Sequence, residues 1–73
     1  MGMEFVVVSY PTSRNVRIDG EILGKTNDTH SVEQGHHIFD LGDPHDYKPD
    51  SVEMDIENTT SIKPLIINDF KPK

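Results

Sequence analysis

Residues 15–24 read Asn15-Val16-Arg17-Ile18-Asp19-Gly20-Glu21-Ile22-Leu23-Gly24. Val16 and Ile18 alternate with polar neighbours, the period-two pattern of a half-buried strand. Asp19-Gly20 follows at once. A two-residue type I′ turn needs positive φ at both central positions, and Asp-Gly supplies it. Glu21 to Gly24 is then the return strand. These ten residues predict a β-hairpin, and a lone hairpin needs further strands to be stable in water.

The flanking sequence offers those strands. Ser51 to Glu57 alternates without a fault, with Val52, Met54 and Ile56 on one face and Glu53, Asp55 and Glu57 on the other. Met3 to Ser9 is apolar on both faces, which predicts a central strand, or one whose outer face is also covered, ended by Pro11. Gly35 opens a strand over His36 to Leu41, with His37, Phe39 and Leu41 on one face. Gly42 to Asp46 and Asn58 to Ser61 are turn clusters. Ile62 to Ile67 reads as the last strand; Pro64 cannot donate to a ladder, so this strand belongs at a sheet edge or carries a bulge. No window carries a helical period. The expectation is an all-β fold, a small antiparallel β-sandwich or open barrel of about six to seven short strands. Residues 1–73 form a single domain, with frayed termini at residues 1–2 and 71–73.

Composition narrows the function. Seventy-three residues hold 13 acidic and 7 basic side chains, net −6, with an isoelectric point near 4.9. The bases are scattered singly, whereas phosphate backbones demand clustered Lys and Arg. Nucleic acid and anionic membranes are therefore poor partners. No apolar run nears the roughly 20 residues of a bilayer span, so no membrane insertion is expected. The segment Phe5 to Val8 is too short for an export signal, and Glu4 beside it has the wrong sign. Cysteine is absent, which removes disulfides and thiolate metal sites. A domain of this size buries only about 60% of its unfolded surface, leaving little material for a deep catalytic pocket.

From Ser9 onward the chain resembles the PEGA domain family. The stretch runs Ser9-x-Pro11, Val16-x-Ile18-Asp19-Gly20, Gly24-x-Thr26, Gly35-x-His37 and Tyr47. The similarity spans residues 9–47 in the family's order. Three turns depart from the pattern: Pro11-Thr12-Ser13-Arg14 stands for the tetrad that names the family, Thr26-Asn27 for Thr-Pro, and Asp46-Tyr47 for Gly-Tyr. The resemblance implies a non-catalytic β-sandwich module, of a kind that decorates cell-envelope or secreted proteins as a spacer or adhesive unit. A complete cytoplasmic protein is the alternative. Physically, the shared residues are structural. Pro11, Asp19, Gly20, Gly24 and Gly35 serve turns and strand starts, His37 has a packed or hydrogen-bonded place, and Tyr47 plugs one end with its hydroxyl on a backbone group.

Three constellations invite a chemical reading. His30, His36, His37 and His45 suggest zinc or nickel, completed by Asp40 or Asp43, but adjacent His36 and His37 point to opposite faces of a strand. Asp40, Asp43, Asp46 and Asp50 suggest calcium, but without EF-hand spacing. Glu53, Asp55 and Glu57 form an acidic stripe that would dock a basic partner or simply be the wet side of a sheet. Asn27-Asp28-Thr29 and Asn58-Thr59-Thr60 fit a glycosylation pattern but sit at turns. Ser9, Ser13, Ser31, Ser51 and Ser61 lie in no nucleophile motif.

The expected function is a non-enzymatic structural or protein-interaction module acting through edge-strand or loop contacts, with no catalytic residue, metal set or cofactor. Partner-binding candidates are Glu53, Asp55, Glu57, Leu65 and Ile67, and the C-terminal edge strand offers a homodimer contact. The alternatives are a calcium- or zinc-binding module using residues 36–50 and an acidic regulatory protein that covers a basic partner.

Overall fold

A computed structural model describes residues 3–73 and holds no helix among them. Nine strands run in order: β1 Met3–Val8, β2 Asn15–Ile18, β3 Glu21–Lys25, β4 Thr29–Glu33, β5 Gly35–Asp40, β6 Tyr47–Lys48, β7 Val52–Ile56, β8 Leu65–Ile67 and β9 Lys71–Pro72. They form three sheets, in the orders β4-β1-β8, β3-β2-β5-β7 and β6-β9. The protein is a small all-β domain.

The β2–β3 hairpin closes on Asp19 and Gly20, with φ of 51° and 88°, the signs a type I′ turn needs. The register shifts at Val16/Arg17, so that Arg17 faces Ile22 and Val16 faces Gly24. Leu23 is the extra residue of this bulge and packs on the core. β1 is central in its sheet, where the run of β-branched valines fits a strand with neighbours on both sides. Its buried residues Val6 and Val8 join Val32 and Ile67 from the same sheet. Val16, Phe39 and Ile56 come from the four-stranded sheet, Tyr47 from β6, and Tyr10, Leu41 and Phe70 from connections. All eleven make one cluster, so the three sheets share a single core.

Three expectations need correction. The tail is ordered: Lys71–Pro72 pairs with Tyr47–Lys48, and the Lys73 amide donates to the Asp46 carbonyl at 3.0 Å. Buried Phe70, edge-on to Tyr47 at 5.7 Å, anchors it. The expected fraying at residues 1–2 lies outside the described residues. The last strand is shorter than Ile62 to Ile67, because Pro64 delays pairing until Leu65 and leaves Ile62 88% exposed. It does lie at a sheet edge, but parallel to β1, with Val7 opposite Ile66. Beyond these, Thr29–Glu33 forms a further strand, antiparallel to β1.

Candidate functional site

Strand parity gives each of the two larger sheets an inward and an outward side. On the four-stranded sheet the outward side carries Arg17, Ile22, His36, Ile38, Asp40, Glu53 and Asp55. Its charges are paired across strands. Arg17 Nε lies 3.5 Å from Asp40, and the His36 ring lies between Asp55 at 2.9 Å and Glu53 at 3.1 Å. Glu57 lies just past β7, exposed. This is a solvated surface whose polar groups hold one another.

The three-stranded sheet is different. Its outward positions are Met3, Phe5 and Val7 on β1, Thr29, Ser31 and Glu33 on β4, and Ile66 on β8. Four are apolar and one is charged, in a chain of net charge −6. Met3 is 54% exposed and Ile66 51%. β8 is also an edge. The Ile67 carbonyl accepts from the Ser9 amide at 2.8 Å, so Ile66, one residue out of phase, turns its own N–H and C=O away from β1. A low-charge apolar face and an open strand edge thus meet at Ile66.

This placement corrects two candidates. Ile67 is buried and Leu65 is half-buried against the core, because both share the inward parity of Val6 and Val8. Ile66 takes the outward place. Glu53 and Asp55 are exposed but already bound to His36.

The turn and core candidates occupy several separate places. Pro11 lies in the bend after β1, lining a groove of about 330 Å³ with Tyr10, Phe70 and Pro72. Gly35 has φ of 133° and opens β5. Gly24 lies beneath the His30 ring, which donates from Nε2 to the Lys25 carbonyl at 2.7 Å. Tyr47 is buried, and its hydroxyl accepts from the Leu41 amide at 3.3 Å. His37 reaches Asp19 at 2.7 Å and the Glu33 carbonyl at 2.6 Å.

The acidic loop does not converge. Asp40 turns to Arg17 and the Gly42 amide, Asp46 to Arg14, and Asp50 to His45. Among the described residues, no group of three His, Cys, Asp or Glu side chains stands where it could hold a metal ion.

Residues that the sequence reading passed over do much of the positioning. The Arg14 guanidinium lies 4.9 Å from the Tyr47 ring and 5.7 Å from that of Tyr10, and donates to Asp46 and to the Pro44 carbonyl at 2.6 Å. Asp46 is thereby held below the ordinary carboxylate range, first by its hydrogen bond from Arg14. Thr26, buried, accepts from the Arg14 amide and donates to the Thr12 carbonyl. Thr26 thereby ties the bend after β1 to the turn after β3.

No family model, curated protein or solved structure matches the chain.

Proposed function

We propose that the domain is a non-enzymatic protein-interaction module that docks through the outward face of the β4-β1-β8 sheet and the open edge of β8, with a second copy of the chain as partner. The observation that carries this reading is the contrast between the two outward faces. One sets exposed Ile22 and Ile38 among paired charges; the other presents Met3 and Ile66, with half-buried Phe5 and Val7 between them, and a single carboxylate at its rim. An apolar strip that runs onto an open strand edge offers both side-chain and backbone contacts to a like strip. A two-fold contact through it is self-complementary and joins the molecules where their like charge is least. The resemblance of residues 9–47 to PEGA modules supports the same reading, because the shared residues serve turns and strand starts.

Magnitude sets the expected strength. Three strands of up to six residues cover roughly 20 by 14 Å, on the order of 300 Å². That is well under the about 800 Å² per partner of a standard interface, so the contact is weak and transient. Sedimentation equilibrium over a wide concentration range tests it. The wild type should show reversible dimerisation at high concentration, and Ile66→Glu should stay monomeric with its melting temperature nearly unchanged. A wild type that remains monomeric at the highest concentration overturns the second copy as partner.

The basic-partner alternative is weaker, since His36 occupies Glu53 and Asp55.

A further inference from the structure

His36 and His37 are neighbours on β5 whose rings leave on opposite sides of the sheet, yet their surroundings follow one plan. His37 Nδ1 lies 2.7 Å from Asp19 Oδ2, and its Nε2 lies 2.6 Å from the Glu33 carbonyl oxygen. His36 Nδ1 lies 2.9 Å from Asp55 Oδ1, and its Nε2 lies 3.1 Å from Glu53 Oε2. Carbonyl and carboxylate oxygens only accept. A neutral imidazole has one N–H and one bare nitrogen. In either tautomer one bare nitrogen would face an oxygen lone pair at hydrogen-bond distance. Only the doubly protonated ring satisfies all four contacts.

The contacts also join separate parts of the fold. Asp19 is the hairpin turn between β2 and β3, and its other carboxylate oxygen accepts from the Ile38 amide at 2.9 Å. Glu33 ends β4 in the other sheet, and Glu53 and Asp55 lie on β7. We propose that His36 and His37, each facing an acceptor at both ring nitrogens, form a proton-dependent latch that clamps the β2–β3 turn, the end of β4 and the edge strand β7 onto β5. This inference rests on the two rings and is independent of the docking face.

The charged groups facing the pair favour protonation. Asp19 and the Glu33 side chain act on His37; Asp55 and Glu53 act on His36, which Asp19 also feels. Hydrogen bonds to Glu53 and Asp55 raise the His36 pKa. For His37, burial is the largest single influence and works against the charge, but the bonds to Asp19 and the Glu33 carbonyl, with the charges of Asp19 and Glu33, raise the pKa overall. Asp19 is correspondingly lowered, chiefly by its bond from His37 and then by the Ile38 amide.

The sign follows. Both folded values lie above the unfolded value of about 6.5, so the histidine contribution is fully present below that pH and lost as pH rises through the folded values. The Asp19 contribution is present above the unfolded aspartate value of about 3.9 and lost as pH falls through its folded value. The latch is therefore firmest in mildly acidic solution.

The test is ¹⁵N NMR of the imidazole rings in the wild type, with thermal melts between about pH 5 and about pH 9. Near pH 6, all four ring nitrogens of His36 and His37 should carry protons, and the melting temperature should fall by several degrees as the rings deprotonate. His37→Gln should flatten that fall more than His36→Gln, because His37 is the more enclosed; in each variant the remaining histidine of the pair keeps part of the slope. A bare nitrogen on either ring in the folded protein near pH 6 overturns the proposal. So does a melting temperature that stays level or rises across the range. The NMR result needs no variant to fold.

Discussion

The Asn27 side chain pairs with both backbone groups of Tyr10: the Tyr10 amide donates to Oδ1 at 3.0 Å, and Nδ2 donates to the Tyr10 carbonyl at 2.9 Å. One amide thereby replaces a neighbouring strand just where β1 has ended. The Asn27 backbone amide adds a bond to the Val8 carbonyl at 2.7 Å, and its φ of 68° is one that Asn tolerates better than most residues. The clamp fixes Tyr10, and with it the ring beside Arg14.

Asn27→Ala should therefore destabilise the domain by about 2 kcal/mol. Roughly half is the lost amide pairing, and roughly half is the cost of a positive φ for a residue with a Cβ and no compensating bond. Asn27→Gly loses only the first part. Urea unfolding of the two variants separates the contributions, and equal losses would show that the backbone conformation contributes nothing. Because Nδ2 is engaged with Tyr10, the Asn27-Asp28-Thr29 pattern marks a structural clamp in this fold.

Gly24 and His30 should be coupled. A Cβ added at Gly24 would overlap the His30 ring at Cε1. The ring can turn away, but only by giving up its bond to the Lys25 carbonyl. Gly24→Ala should cost about 1–3 kcal/mol, the usual range for overpacking. In His30→Ala the same change should cost distinctly less, since the obstructing ring is gone. A double-mutant cycle measures the difference. Additive effects would mean that Gly24 is needed for its backbone instead.

How far the fold was legible follows from how much each strand buries. Val52, Met54 and Ile56 repeat three apolar residues at period two, and Asp19-Gly20 sits where only a tight turn fits, so both elements stand out. Thr29 to Glu33 does not. Only Val32 is buried there, the outward Thr29 and Ser31 resemble a loop, and the strand is held by its ladder to β1. Tyr47–Lys48 and Lys71–Pro72 are too short to show any period, and they pair because Tyr47 and Phe70 are packed beside them. At the candidate site, the edge position of β8 could be read from Pro64. The inward turn of Leu65 and Ile67 could not, because in a run of three apolar residues either parity is possible until the partner strand is known. Arg14 and Asn27 were hidden for a related reason: their partners lie 32 and 17 positions away in sequence.

Glu4 joins β1 to the loop that leads into β8. It is only 8% exposed at the start of β1, and its Oε1 accepts from both the Thr59 amide and the Thr59 hydroxyl at 2.7 Å. The same hydroxyl oxygen accepts from the Phe5 amide at 2.7 Å, which fixes the connection between β7 and β8 beside β1. The Thr59 amide bond, then the hydroxyl bond, hold the Glu4 carboxyl below its ordinary range. A lowered folded pKa contributes stability above the unfolded value of about 4.3, and that contribution is lost as pH falls through the folded value. Glu4→Gln should thus melt below the wild type at neutral pH, and the gap should close in acid, once the wild-type carboxyl is itself neutral. Thr59→Val should lower the melting temperature as well, but its gap should persist in acid, because the Phe5 amide stays without its acceptor at every pH. Melts of the three proteins at neutral and acidic pH decide between a charge effect and a packing effect at Glu4. A Glu4→Gln gap that is the same at both would assign the residue's role to shape alone.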